Sequence, residues 1–183
     1  ASIPKERMQV YFIDNEDYFK RKGLLKDSKG NLFKDNDERM IFFTKGVIET
    51  VKKLNWSPDI IHLNGWFASL FPLYFKTIFA EEPIFFKSKI VSSIYSKPFD
   101  GCLSKSLVKK IKFDGVEENL DILSDPNFYN LTDIMIKYSD SIILSSNKTD
   151  KKIINIINKN SKDYLSYSDS QDDDKLIGFL NLT

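Results

Sequence analysis

Three short constellations hold the residues whose types and spacing can do chemistry. Asp35-Asn36-x-x-Arg39 sets a carboxylate, an amide and a guanidinium within one helical turn. His62-Leu63-Asn64-Gly65-Trp66 holds the only histidine of the chain. Tyr95-Ser96 closes a third, mostly apolar segment. The amide and hydroxyl groups both donate and accept hydrogen bonds, and the guanidinium only donates. His62 alone has an ordinary pKa near neutrality. Cys102 is the only cysteine, so an internal disulfide is impossible. One histidine and one cysteine do not build an ordinary structural zinc site. The seven glycines form no phosphate-cradling pattern.

Each constellation also has a plainer reading. Asn36 is a good N-cap, and capping by itself explains the Asp35-Asn36 pair. Arg39 can serve only to pair with a nearby carboxylate. His62 near a strand end can be a hydrogen-bonded structural residue, Trp66 a core residue and Cys102 incidental. Residue type and spacing leave these readings open beside the functional ones.

The elements that must position these residues alternate in kind. Met8–Ile13 is rich in β-formers and runs into the polar Asp14-Asn15-Glu16-Asp17, which predicts a strand and a loop. Asp27–Asn31 is a turn signal. Asn36–Leu54 places Met40, Val47, Ile48, Val51 and Leu54 on one helical face. Asp59–Leu63 predicts a buried parallel strand. Trp66–Phe79 is helical in pattern, but Pro72 predicts a kink or a late start. Lys89–Tyr95 and Ser141–Ser145 predict two more strands, and Asp163–Tyr167 a last one. Ser104–Ile111, Asn127–Tyr138, Thr149–Asn158 and Asp174–Leu180 predict helices. This alternation implies an α/β domain with a largely parallel sheet, in which ligands bind at the carboxyl ends of strands. Leu63-Asn64-Gly65 and Tyr95-Ser96 both fall at such ends.

Composition narrows the function classes. The 183 residues suffice for one domain, and 42% hydrophobic with 29% charged residues is the mix of a globular protein. A formal net charge of +1 gives no global electrostatic case for nucleic acid or an anionic membrane. No apolar run reaches the length of a membrane span. The single cysteine favours a cytoplasmic setting. Ala1 is not an initiator methionine, and Ala1–Arg7 lacks the apolar region of a signal peptide. The expectation is that further sequence precedes it, with one Rossmann-like domain over 1–183 whose first strand is absent.

Four ordered segments resemble the N-terminal catalytic lobe of ADP-glucose-dependent starch and glycogen synthases. The first runs from Val10-Tyr11-Phe12-Ile13 through Arg21, Gly23 and Leu24 to Asp35-Asn36-Asp37-Glu38-Arg39, with Met40 where the family has phenylalanine. The second is Pro58-Asp59-Ile60-Ile61-His62-Leu63-Asn64-Gly65-Trp66, continuing to Pro72-Leu73-Tyr74. The third is Val91–Gly101, and the fourth Tyr138-Ser139-Asp140 through Ser146. Together they cover most of residues 8–150, and the pattern resembles the short, single-lobe bacterial members.

The resemblance implies the glycosyltransferase GT-B architecture, of which this chain would supply one lobe and not the second, donor-binding one. It implies retaining glucosyl transfer from ADP-glucose to an α-1,4-glucan, with no metal and no cofactor. It makes Asp35, Asn36, Arg39, His62, Asn64, Trp66 and Tyr95 candidates for sugar contact and assigns none of them to catalysis. The departures fall at the chemistry. The family's His-x-His-Asp-Trp has Asn64 for its second histidine and Gly65 for its aspartate. Its Thr-Ile-His-Asn has Tyr95 and Ser96 at the last two places. Asn64 and Tyr95 still bind hydroxyls but do not handle protons as an imidazole does. Three expectations follow: a family member inactive by itself that binds α-glucan or another subunit; a transferase active with upstream residues or a partner lobe; or a non-enzymatic α/β interaction domain with an open sheet edge.

Overall fold

A computed structural model describes residues 2–3, 8–118 and 120–182. Four strands form one parallel sheet in the order β3 (Ile60–Asn64), β4 (Lys89–Ile94), β5 (Ser141–Leu144), β6 (Tyr164–Leu165). The register sets Ile60 beside Lys89, Val91 beside Ser141 and Ile142 beside Tyr164. Period-two alternation then sorts the side chains. Leu63, Ile90, Ile94, Ile142 and Leu144 face the main core. Val91, Ile143 and Leu165 face the opposite side.

The main core is closed by α2 (Asn36–Lys53), α3 (Phe71–Lys76), α4 (Leu107–Phe113), α5 (Phe128–Tyr138) and α6 (Lys151–Lys159). The opposite face is covered by α7 (Asp173–Leu182), through Leu176, Phe179 and Leu180. Capping follows the sequence. Asn127 accepts from the N–H groups of Tyr129 and Asn130 to start α5, and Asp150 accepts from Lys152 N–H to start α6. Pro72 stands in the first turn of α3, where no donor is lost. A 3₁₀ turn over Trp66–Ala68 fills the gap before it, so the helix starts late. Among the described residues no helix is long and apolar enough to cross a membrane.

Two expectations are corrected. The strand expected over Met8–Ile13 is only β2 (Met8–Gln9), paired antiparallel with β1 (Ser2–Ile3) outside the parallel sheet. Tyr11 and Phe12 beyond it are exposed, so β-propensity there finds no partner strand to act on. A four-residue helix, α1 (Glu16–Phe19), follows. Asn36 is not the N-cap of α2. Asp35 holds that place and makes no side-chain cap bond, because its carboxylate is engaged by Arg21.

β3 lies at the edge of the sheet. Lys89 N–H donates to the Asp59 carbonyl at 2.9 Å, and Gly65 N–H to the Ser93 carbonyl at 3.3 Å. In a parallel ladder the N–H and C=O of one residue point to the same neighbour, and successive residues alternate. Asp59, Ile61, Leu63 and Gly65 therefore turn toward β4, and the backbone groups of Ile60, His62 and Asn64 turn outward from the edge. No lysine, proline or bulge blunts this strand.

Candidate functional site

The same alternation that buries Leu63 lifts His62 and Asn64 onto the α7 side of the sheet. Ser93 and Tyr95 of the neighbouring strand stand on that side too. Below them Ile60 and Val91 pack against the apolar stripe of α7. Above that stripe the face is open, with His62 and Asn64 exposed and Tyr95 half-buried. The result is a polar shelf at the carboxyl ends of β3 and β4, where parallel sheets take ligands.

Two hydrogen bonds organise the shelf. His62 Nε2 lies 2.7 Å from Ser93 Oγ, which is buried. The Tyr95 hydroxyl donates to Asn64 Oδ1 at 3.2 Å. The outer edge of the His62 ring meets solvent, yet the protein around it displaces enough water to push its pKa below the ordinary imidazole value. Above about pH 6.5 the ring is therefore mostly neutral. The shelf then offers neutral donors and acceptors and no fixed positive charge. Gly65 ends β3 at φ 75° and ψ 168°, a conformation nearly restricted to glycine, with open space where a Cβ would stand.

The depressed pKa has a consequence for stability. The folded state holds fewer protons on His62 than the unfolded chain between the folded pKa and about 6.5. The stability contributed by neutral His62 is thus complete above that range and is lost as the pH falls through it. An NMR titration of the ring is expected to show a midpoint below the ordinary value. The His62→Gln variant should show a shallower loss of stability on acidification in urea melts; identical pH profiles would refute this.

The other candidates are placed elsewhere. Trp66 points to the main-core side, half-buried, with its ring 4.5 Å from Phe99 and 5.8 Å from Phe67. It lines a shallow groove of about 340 Å³ with Leu24, Lys26, Leu32, Lys97 and Phe99. Asp35 is bound by Arg21 in a two-pronged pair at 2.8 and 3.0 Å, and Arg21 also donates to the Asp17 carbonyl. Asn36 is fully buried and donates to the Leu25 carbonyl at 2.9 Å. Arg39 is 1% exposed and donates to Asn36 Oδ1 at 2.6 Å. Its guanidinium lies 5.2, 5.5 and 5.7 Å from the ring centres of Phe19, Phe33 and Phe67. Burial lowers its pKa, as does Arg21 nearby, while Asp35 acts against both. The fold thus brings His62, Asn64 and Tyr95 together and keeps Asn36 and Arg39 in the interior, with their polar atoms turned to protein.

Ser93 is a site residue that the sequence reading does not single out. Its signal is positional, since it stands two residues before Tyr95 and so on the same face. Ser96 is likewise engaged. Its N–H donates to Ser146 Oγ at 2.9 Å, and its own Oγ accepts from Asp150 N–H at 3.0 Å. These bonds tie the loop after β4 to the start of α6.

Comparison with known proteins bears on this arrangement. A family model described as the starch synthase catalytic domain matches residues 1–165. The chain belongs to that family. A glycogen synthase of Chlorobaculum parvum is 38% identical over 158 residues, which are 84% of this chain and 31% of the relative. The glycogen synthase of Chlorobium phaeobacteroides is 36% identical over 81% of this chain and 32% of its own length. That of Chlorobium luteolum is 42% identical over 61% of this chain and 23% of its own length. The chain spans about a third of the length of the relatives that it matches most fully. The starch synthase match accounts for the parallel α/β sheet and for the four ordered segments that lead from Val10 to Ser146.

Proposed function

We propose that this chain is a sugar-binding lobe of the starch synthase catalytic domain family that holds an α-glucan at the β3–β4 shelf and does not transfer glucose by itself. The observation that carries the reading is the hydrogen-bonded Asn64–Tyr95 pair beside a neutral His62. An amide, a phenol and a neutral imidazole match the alternating donors and acceptors of sugar hydroxyls. They supply no cation to neutralise a leaving diphosphate, which is the term that glucosyl transfer from ADP-glucose depends on most. Under this reading ADP-glucose is the substrate of a completed transferase.

The test has two arms. Calorimetric titration with maltoheptaose should show weak binding, and Tyr95→Phe combined with Asn64→Ala should weaken it by about tenfold, one good hydrogen-bonding contact. Incubation with radiolabelled ADP-glucose and glycogen should give no incorporation. Robust transfer by the purified chain would overturn the reading, and so would glucan affinity unchanged in the double variant.

A second reading rests on the open edge of β3. The outward backbone groups of Ile60, His62 and Asn64 favour completion by a further strand, so that transfer would require a partner lobe or subunit. Turnover restored by mixing with a separate donor-binding lobe would support it. A chain that stays monomeric in size-exclusion chromatography and inactive with every such lobe would count against it.

A further inference from the structure

Beneath the shelf lies a buried hydroxyl, that of Ser93, which is 3% exposed. β4 is an inner strand, so Ser93 has strand neighbours on both sides. The register sets Asn64 of β3 and Ile143 of β5 opposite it. Val91 and Tyr95 stand two residues away along β4, on the same face. Val91 and Ile143 are apolar and offer no acceptor. Asn64 Oδ1 already accepts from the Tyr95 hydroxyl. His62 Nε2, at 2.7 Å, is the one hydrogen-bond partner of Ser93 Oγ among the described residues.

That bond has two possible senses. Either an Nε2–H donates to Ser93 Oγ, or the Ser93 hydroxyl donates to a bare Nε2. The two differ in what they leave unmatched. In the first, the hydroxyl hydrogen is buried with no acceptor, which is costly. In the second, the ring carries its proton on Nδ1. Nδ1 has no protein partner among the described residues, and His62 is exposed, so water satisfies that nitrogen in either state. The buried hydroxyl therefore decides the tautomer, because the bond made at one ring nitrogen sets the proton on the other. Burial also lowers the His62 pKa, so the neutral ring, which alone has tautomers, prevails at neutrality and above.

We propose that Ser93 is the positioning residue of the shelf: its hydroxyl donates to His62 Nε2 and holds the imidazole as the Nδ1–H tautomer. The polarity left to a ligand is then fixed. His62 offers an N–H donor at Nδ1. Asn64, its oxygen engaged, offers the N–H donors of its amide. Tyr95, its hydrogen engaged, offers an oxygen acceptor. Such a face takes sugar hydroxyls by their oxygens at His62 and Asn64, and by a hydrogen at Tyr95. Ser93 touches no sugar in this arrangement and acts through His62. The consequence for glucan rests on the shelf as the sugar site, whereas the tautomer stands on the Ser93–His62 geometry alone.

His62 is the only histidine, so a chain labelled with nitrogen-15 histidine gives a single ring in a long-range proton–nitrogen spectrum. At about pH 8, above the imidazole range, Nδ1 is expected at the protonated position and Nε2 at the bare, pyridine-type position. This reading needs no variant. Ser93→Thr keeps the hydroxyl, and Ser93→Val puts a methyl in its place on a side chain of nearly the same shape; both β-branched residues suit a strand. Circular dichroism should show both folded. The threonine variant should keep the Nδ1–H signature, and the valine variant should move the ring to the Nε2–H form that free histidine favours in water. Maltoheptaose affinity should be kept in Ser93→Thr and fall about fivefold in Ser93→Val, the worth of one hydrogen bond. An Nε2–H ring in the parent, or one tautomer shared by both variants, would overturn the assignment of Ser93 whether or not glucan binds. Equal glucan affinity of the two variants would overturn its role in binding. An Nδ1–H ring in a parent that binds no maltoheptaose would overturn the shelf as a glucan site and uphold Ser93 as the residue that sets the ring.

Discussion

Replacing Arg39 with alanine is expected to lower the free energy of unfolding by about 4 kcal/mol, while Arg39→Met costs about 1 kcal/mol. Arg39 is among the largest fully buried side chains of the protein. It lies among three aromatic rings, and among the described residues its side chain makes one hydrogen bond, to Asn36 Oδ1, while its Nε has no partner. Three effects compete. The guanidinium is attracted to the ring faces, which is worth about 2 kcal/mol when desolvated. Its removal from water opposes folding by several kcal/mol. Its volume fills space that alanine would leave empty. Methionine keeps most of the volume and removes both the buried charge and the unpaired Nε, so the loss of the ring contacts is largely offset. Urea melts of the two variants decide the matter. Equal destabilisation by alanine and methionine would show that the charge, and not the filled space, holds this corner. Because Arg39 is enclosed, Arg39→Met should leave maltoheptaose affinity unchanged.

The second large effect concerns Lys110. Asp37 is completely buried in the first turn of α2, with Oδ1 unpartnered and Oδ2 accepting from Lys110 Nζ at 2.6 Å. Lys110 also reaches the half-buried Glu38 at 2.8 Å. Removing the ammonium leaves a buried carboxylate with no counter-charge, and such a loss costs about 3 kcal/mol. Lys110→Met is therefore expected to destabilise by that amount, and adding Asp37→Asn should recover more than half of it. A single variant within about 0.5 kcal/mol of the parent, the range of an ordinary surface change, would refute the argument. The pH dependence has a definite sign. Burial pulls the Lys110 pKa down, but the hydrogen bonds to Asp37 and Glu38 and their charges more than reverse it, so the net direction is up. The stability it contributes is complete below the ordinary lysine pKa of about 10.4 and is lost as the pH rises through the folded value. The parent should lose stability at alkaline pH by more than Lys110→Met does.

The first effect arises at a residue whose chemistry looks functional in the sequence and proves structural in the fold. Asp35-Asn36-x-x-Arg39 reads as a ligand-binding turn because a carboxylate and a guanidinium stand one helical turn apart. In the structure Asp35 pairs with Arg21, fourteen residues earlier in the chain, and Arg39 turns inward to rings supplied by three separate segments. No local spacing contains that information. The shelf reads differently. The segments His62-Leu63-Asn64 and Ser93-Ile94-Tyr95 are each legible as strand ends, and alternation places their polar residues on one face. That the Tyr95 hydroxyl meets Asn64, thirty-one residues away, follows only from the parallel register of β3 on β4.

The amino-acid sequence by itself determined the order of elements, the parallel α/β class and a break in the helical pattern at Pro72, and it supplied the side chains, Asn127 and Asp150, that cap α5 and α6. It also carried the family, through four segments in a fixed order. These features rest on interactions within a few residues: period-two or period-3.6 burial, the missing donor of proline, and side chains that bond to the next turn of backbone. Tertiary structure alone decided that Met8–Ile13 would not join the sheet, and that Arg39 would be buried and His62 left at an open edge. Those outcomes depend on which surfaces meet across long stretches of chain. Burial and pairing are properties of the contact between elements, and a residue's own neighbours in sequence do not set them.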